Sequence, residues 1–303
     1  MAKLAITGVT GKSGQYLWQE ILNNQEKIKK YWPEGISLIS RNSGNFDKLE
    51  ESGLQINHFI GDLSDKKILP AFCEGCDTLL HIAGIHWSLE LVKVAVKSGI
   101  KRIILVHTTG IYSKYKSAGE EYRNIDSEIY KIAESENLAL TILRPTMIYG
   151  DITDNNVVIF IKMIDKFMIM PTVNGARYEL QPVHCGDLGK AYYDVLIRPE
   201  ICNNKDYVLS GGAPIELRQM FDEIAKNLGV KRKYISCPYP IAYIGAWIIF
   251  LLTFAQKDYR EKVQRLVEPR VYDYKDAAKD FGYSPRTFEV GIVDEVEQYL
   301  KTK

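Results

Sequence analysis

Six short apolar runs, at residues 3–7, 35–40, 54–61, 77–84, 101–109 and 138–145, alternate with segments of helical pattern. "KLAIT" precedes a helical stretch from Ser13 to Lys30, and "GISLIS" precedes "NFDKLEES". "LQINHFIG" precedes "DKKILPAFC", which Ser64 can cap, and "DTLLHIAG" precedes "WSLELVKVAVKSG", which ends on Gly99. "KRIILVHTT" leads through the long helix "AGEEYRNIDSEIYKIAESEN" to "LALTILRP". Strands without polar alternation are buried on both faces, and helices between them make the crossovers of a parallel sheet. Such a sheet takes its ligand at the carboxyl ends of its strands.

Past residue 150 the rhythm loosens. "NNVVIFIKMIDKFMIMP" reads as a helix, and "YELQPVHCGDLGKAYYDVLI" as a short strand entering a helix capped by Asp187. "KDYVLSGG" is a strand and "ELRQMFDEIAKNLG" a helix. We therefore expect a sheet domain over 1–150, rejoined by parts of 180–212. A smaller, mostly helical lobe then fills most of 151–303. The run "IAYIGAWIIFLLTFA" at 241–255 is short of the ~20 residues that span a bilayer. It is expected as a buried helix. An interfacial helix is the alternative, because aromatics are mixed in and Lys257 and Arg260 follow.

Bulk numbers narrow the class. Hydrophobic content of 46% and charged content of 25% are those of a globular chain, and a net charge of +1 argues against a general nucleic-acid binder. The apolar run after Met1-Ala2-Lys3 is too short for a signal peptide, so a cytoplasmic location is expected. Five cysteines, an odd number, suit reduced thiols. Cys73 and Cys76 form a C-x-x-C with no second pair or histidines at ligand spacing, so packing is expected there and no metal site.

The turn after the first strand, "TGVTGKSG", carries the chemistry. Its Gly11-Lys12-Ser13 mimics the end of a P-loop, but the residue five before Gly11 is Ile6, so that spacing fails. The spacing T-G-x-x-G-x-x-G is met by Thr7, Gly8, Gly11 and Gly14. Gly8 permits the tight turn, Gly11 a close approach to a pyrophosphate, and Gly14 close packing of helix on strand. The phosphates then lie at a helix N-terminus, with Thr10, Lys12 and Ser13 around them. The second strand ends in Ser40 and Arg41 rather than a carboxylate. A cation there suits a 2′-phosphate, so NADP is expected, with NAD as the alternative.

Together these segments resemble the short-chain dehydrogenase/reductase superfamily in its extended and atypical branches, which include NAD-dependent epimerases, dehydratases and NmrA-like proteins. The resemblance implies an α/β, Rossmann-type doubly wound parallel sheet with a smaller, mostly helical C-terminal substrate lobe. "GDLSD" resembles the third-strand motif, placing Asp62 and Leu63 beside the adenine. "HIAG" is similar to the fourth-strand motif and places Ala83 and Gly84 by the nicotinamide ribose. "LRPTMIYG" resembles the motif closing over the nicotinamide, with Pro145 and Ile148. "QPVHCGDLGKA" resembles the motif that brings His184 and Asp187 to the domain junction, and "FGYSPRTFEVGI" the family's ending.

The family's catalytic set is a Ser or Thr, a Tyr, and a Lys four residues after the Tyr. The resemblance puts Thr108 at the first position, Tyr122 at the second, and Tyr112 near the substrate. The lysine position holds Asp126, while Glu128 keeps a nearby family acid. A lysine favours the phenolate, and without it a tyrosine near pKa ~10 is a poor base at neutral pH. A second Y-x-x-x-K, Tyr112 to Lys116, is read as coincidence in a loop, though Lys114 or Lys116 could bring charge to the site. His81, His86 and His107 fall near the expected nicotinamide, and His86 and His107 are candidate substitute acid/base groups. Two functions follow as expectations. One is an NADP-dependent oxidoreductase or epimerase acting on a carbonyl or carbinol, such as a sugar nucleotide or lipid-linked group. The other is a non-catalytic NADP(H) sensor or structural protein. The superfamily also implies a homodimer.

Overall fold

A computed structural model describes residues 2–43, 53–115 and 117–303. Its main element is a seven-stranded parallel sheet. In chain order its strands are β1 (Leu4–Thr7), β2 (Ile36–Ser40), β3 (Ile56–Ile60), β4 (Thr78–His81), β5 (Arg102–Val106), β6 (Ala139–Pro145) and the strand Lys205–Leu209. In space the order runs from Lys205–Leu209 through β6, β5, β4, β1 and β2 to β3. β1 pairs with β2 on one side and β4 on the other, with Thr7 opposite both Ile39 and His81. The chain therefore reverses its direction of winding beside β1, where a doubly wound sheet opens a crevice.

Side-chain alternation along the buried strands makes two cores. Leu4, Ile6, Leu80 and Ile104 face the helices Gly14–Asn23 and Cys185–Leu196, through Leu17, Ile21, Leu188 and Tyr192. Ala5, Leu79, Ile103 and Ile142 face the opposite layer, where Phe72, Leu91 and Ile129 close the core. Cys73 and Cys76 pack in this second layer, and burial raises both thiols, Cys73 to about 12. A third core belongs to the C-terminal half. It joins the helices Val157–Lys166, Leu217–Asn227 and Phe288–Leu300 through Ile161, Met220, Phe221 and Ile292.

Several expected elements change. The stretch from Ser13 to Lys30 is two helices, Gly14–Asn23 and Gln25–Tyr31, parted at Asn24, whose side chain donates to the Glu20 carbonyl at 2.9 Å. The helix after β3 starts at Ile68 rather than near Ser64. Asp62 and Asp65 instead accept the Ser64 and Lys67 N–H groups and hold that segment as turns. The run at 155–171 is helical only over Val157–Lys166, then continues as the strand Ile169–Val173, paired in parallel with Lys233–Cys237. Met170 and Thr172 point inward there, a period of two that overrides the apolar composition. The helix Cys185–Leu196 is capped by His184, not Asp187. His184 Nδ1 accepts the Gly186 N–H at 3.0 Å, while Asp187 is taken by Arg286 at 3.0 Å. "NFDKLEES" and Lys116 lie outside the described residues.

The largest correction concerns the apolar run. It forms the helix Tyr239–Leu252, but of its residues only Ala246 is buried. The lobe's core is already filled by three other helices, so this one lies on the surface. Among the described residues no helix is long and apolar enough to cross a membrane.

Candidate active site

A cleft of about 950 Å³ lies along the carboxyl ends of β1, β2, β4, β5 and β6. Its floor is the first turn. Gly8 sits at φ +76°, and a Cβ there would come within 2.9 Å of the Ala83 nitrogen. A Cβ on Gly14 would fall 2.1 Å from the Gly8 carbonyl oxygen. Both positions therefore exclude a side chain, and the helix Gly14–Asn23 starts directly against the loop. In its first turn the Gln15 and Leu17 N–H groups bond back to the Gly11 and Ser13 carbonyls at 2.9 and 3.2 Å, which ties the loop to the helix start and aims the N-terminal end of the helix at the cleft. Gly8, Thr10, Gly11, Lys12 and Ser13 line the cleft here. That open floor fits a dinucleotide's phosphates.

The loop beside it is fixed from below. Buried His81 pairs through Nδ1 with the Thr7 hydroxyl at 2.6 Å and through Nε2 with the Gly84 carbonyl at 3.0 Å. Burial pushes its pKa down to about 4, so the ring is neutral. Nε2 then donates to Gly84, and Nδ1 accepts from Thr7. His81 is thus a brace for the Ala83–Gly84 loop, and both of those residues line the cleft. At the far end Arg41, Asp62 and Leu63 form the wall. The Ser64 backbone N–H, more than the Arg41 charge, holds the Asp62 carboxyl below its usual range. Pro145 and Ile148 close the opposite side.

At the ends of β4 and β5 the structure brings Thr108 and Tyr122 together. Thr108 Oγ1 accepts the Gly110 N–H at 2.9 Å, which leaves its own proton free to donate. A Cβ on Gly110 would lie 3.2 Å from Thr108 Oγ1 and 3.7 Å from the Tyr122 ring, so both side chains border one small space. Burial, then Glu121 and Glu261, raise the Tyr122 phenol, against a smaller opposing effect of Arg265. Tyr112 is placed apart from this pair. It is 51% exposed, packs on Tyr272 and is not among the residues lining the cleft. Lys114 does not line the cleft either; its backbone N–H is bound to Glu268 at 2.7 Å.

Asp126 occupies the lysine position but is bound into a buried network and does not itself line the cleft. His107 Nδ1 lies 2.6 Å from one carboxylate oxygen, and Arg144 Nη1 donates to the other at 2.6 Å. Arg144 continues to Asp206 at 2.7 Å and to the Tyr130 hydroxyl at 3.2 Å. Burial alone would raise the Asp126 carboxyl, but His107 and Arg144 outweigh it and hold it below the usual range. His107 Nε2 is also occupied, by Ser88 at 2.9 Å, so both of its nitrogens are engaged. His86 is different. It stands half-exposed, edge-on to the Tyr122 ring at 5.4 Å, with Nδ1 on Glu121 at 2.8 Å.

Two cations in the cleft have no sequence signal. Arg265 and Arg270 line it from the C-terminal lobe. Among the described residues neither buried Nε has a hydrogen-bond partner, although Arg265 Nη1 lies 3.8 Å from Glu261. Burial, then the neighbouring Arg265 charge, lowers the Arg270 guanidinium to about 10. No family motif covers this segment. It is brought to the site by Glu268, which accepts from the Ser113 hydroxyl and the Lys114 N–H, each at 2.7 Å.

Comparison with known proteins agrees with this architecture. A family model described as NAD(P)H-binding matches residues 8–166. The chain is 22% identical over 255 residues to an N-acetyl-alpha-D-glucosaminyl-diphospho-ditrans,octacis-undecaprenol 4-epimerase of Escherichia coli O157:H7, covering 72% of this chain and 74% of that one. It is 21% identical to a 2-alkyl-3-oxoalkanoate reductase of Stenotrophomonas maltophilia, covering 96% and 97%. Its fold superposes on the UDP-glucose 4-epimerase of Thermotoga maritima with a TM-score of 0.73 at 16% identity, covering 99% of each chain.

Proposed function

The chain belongs to the NAD(P)H-binding, extended short-chain dehydrogenase/reductase superfamily, and from that premise we propose that it is an NADP-dependent oxidoreductase acting on a carbonyl or carbinol. The observation that carries the reading is the meeting of Thr108 and Tyr122 over one space in the cleft. The nicotinamide cofactor, when bound, supplies or accepts the hydride. The protein does the rest. The Gly8–Gly14 turn and the helix behind it hold phosphate. Asp62 and Leu63 border the adenine end. Arg41 and Lys12 supply positive charge for a 2′-phosphate. The Thr108 hydroxyl donates to the substrate oxygen, and Tyr122 delivers the proton as that oxygen gains charge.

The environment of Tyr122 supports its role as a proton donor. Its phenol is raised rather than lowered, so it holds its proton at neutral pH. A protonated phenol in this position can deliver its proton to a carbonyl oxygen as that oxygen gains charge. Arg265 and Arg270 support a substrate that carries an anionic group. A sugar nucleotide or a diphosphate-linked lipid meets that need. The name of the E. coli relative describes a substrate of the second kind.

A second reading rests on Asp126. Its carboxylate is committed to His107 and Arg144, and no lysine takes its place beside Tyr122 among the described residues lining the cleft. A protein that binds NADPH without turning it over would look the same. The test is binding of NADPH and NADH by fluorescence, then turnover on aldehydes, quinones and nucleotide sugars. Tyr122→Phe is expected to lower turnover by about 10²–10⁴ with NADPH affinity unchanged. Tight binding with no turnover on the panel would favour the sensor. Undiminished turnover by the Phe variant would remove Tyr122 from the mechanism.

A further inference from the structure

We propose that the helix Tyr239–Leu252 docks the protein on the surface of an anionic lipid bilayer. The helix carries no charged residue, and only Ala246 of its fourteen residues is buried. Ile241 is 60% exposed, Ile244 58%, Ile248 51% and Leu251 64%. At about 100° per residue, the exposed side chains from Trp247 through Leu251, Ile244, Ile248 and Ile241 to Ile249 sweep about 200° of the circumference. A soluble protein seldom leaves so large an apolar face in water.

The width of that arc decides the occupant. A helix packed against a protein partner buries a stripe of roughly 100°. Twice that width suits a rod sunk to half its depth in a fluid phase. The helix is too short to go further, since fourteen residues rise about 21 Å against a hydrocarbon core of about 30 Å. Tyr239, Tyr243 and Trp247 add the amphipathic aromatics that settle at such a boundary.

Charge agrees with a lipid surface. The flanking segment exposes Lys257 and Lys262 beside the helix, while Arg260 is paired with Asp258 and Arg265 lies in the cleft. Anionic headgroups attract such exposed cations. The helix is held to the fold from this side. The Arg260 guanidinium lies 4.1 Å from the Trp247 ring centre and 4.0 Å from that of Phe250.

The position gives the docking a use. The helix Arg260–Leu266, against which the apolar helix packs, carries Arg265 into the cleft. A bilayer under Tyr239–Leu252 would therefore lie one helix layer from the cation that borders Tyr122. A substrate with an anionic head on a lipid tail could reach the cleft while its tail stays in the membrane. This use rests on the catalytic reading above, but the docking does not, and vesicle binding separates the two.

The test is flotation of the full chain with vesicles of phosphatidylcholine containing about one-third phosphatidylglycerol. We expect the protein to float with them, and the double substitution Ile248→Glu, Leu251→Glu to weaken binding about tenfold or more. NADPH binding should be unaffected, since neither residue lines the cleft. If the charged pair disturbs folding, Ile248→Ser with Leu251→Ser should show the same trend. A wild-type protein that stays with the unbound fraction, or a folded variant that floats as well as wild type, overturns the proposal. Light scattering that finds a dimer split by the same substitutions gives the face to a second copy, and also overturns it.

Discussion

Restoring the family's lysine at position 126 should destroy the protein rather than activate it. Asp126 and Arg144 have side chains 7% and 3% exposed and meet at 2.6 Å. Removing one member of a buried pair costs about 3–5 kcal/mol, because the other charge is left without its partner. Asp126→Ala should lose that much. Asp126→Lys also sets a cation beside Arg144, and at an effective dielectric of about 20 two like charges 4 Å apart repel by about 4 kcal/mol. The total approaches the whole stability of many domains, about 5–15 kcal/mol. Asp126→Asn is gentler. His107 and Arg144 face its two oxygens, and an amide presents an acceptor to only one of them. One unsatisfied contact costs about 1–3 kcal/mol. Urea denaturation at neutral pH should therefore rank wild type above Asn, Asn above Ala, and Ala above Lys. The carboxyl is held below the usual range, so its contribution is present above the unfolded pKa near 3.9 and fades as pH falls through the folded value. Wild type and Asp126→Ala should thus converge in acid. An Asn or Ala variant with the wild-type midpoint, but with weakened NADPH binding, would show that Asp126 serves the cofactor and that the network reasoning is wrong.

Other substitutions probe the cleft and its supports. Arg41→Ala should weaken NADPH binding about 10- to 100-fold and leave NADH binding unchanged, as the loss of charge-assisted bonds to a 2′-phosphate requires; an unchanged NADPH/NADH ratio by fluorescence titration would reverse the cofactor assignment. Gly8→Ala should abolish measurable dinucleotide binding, because φ +76° and the contact with Ala83 admit no Cβ; wild-type affinity by calorimetry would contradict the turn geometry. Burial, reinforced by the Asp154 charge, pushes the Glu295 carboxyl up to about 9. A raised acid costs stability as pH climbs from the unfolded value near 4.3 toward the folded one. Glu295→Gln keeps an acceptor for the Gly150 N–H that Glu295 binds at 2.7 Å. Its melting temperature relative to wild type should rise steadily from about pH 5 to pH 9, and a flat difference would place the ionised carboxylate in the folded protein.

Much of the fold is local information and was readable in the chain. β1, β2, β4, β5 and β6 are largely apolar runs buried along nearly their whole length, as strands covered on both faces must be, while β3 closes the sheet as a half-buried edge strand. The glycines at 8, 11 and 14 are dictated by backbone geometry within one turn, so spacing alone located the floor of the cleft. The motifs around Asp62, Gly84, Thr108, Tyr122 and Pro145 mark residues that all line the cleft, because each sits at the carboxyl end of a strand or on a helix held against one.

What the sequence left open depended on contacts between distant segments. Whether Asp126 was a lost catalyst or a structural charge could be decided only by Arg144 and His107, eighteen and nineteen residues away. Tyr112 matched a motif by letters, yet it packs on Tyr272, and Tyr272 lines the cleft where Tyr112 does not. Arg265 and Arg270 belong to the site only because Glu268 ties their segment to Ser113, a bond across 155 positions. The helix Tyr239–Leu252 shows the limit most plainly. Composition determined that it would be apolar, but burial depends on the space left by other helices. The core of the C-terminal lobe was full, so its most apolar helix was left on the surface.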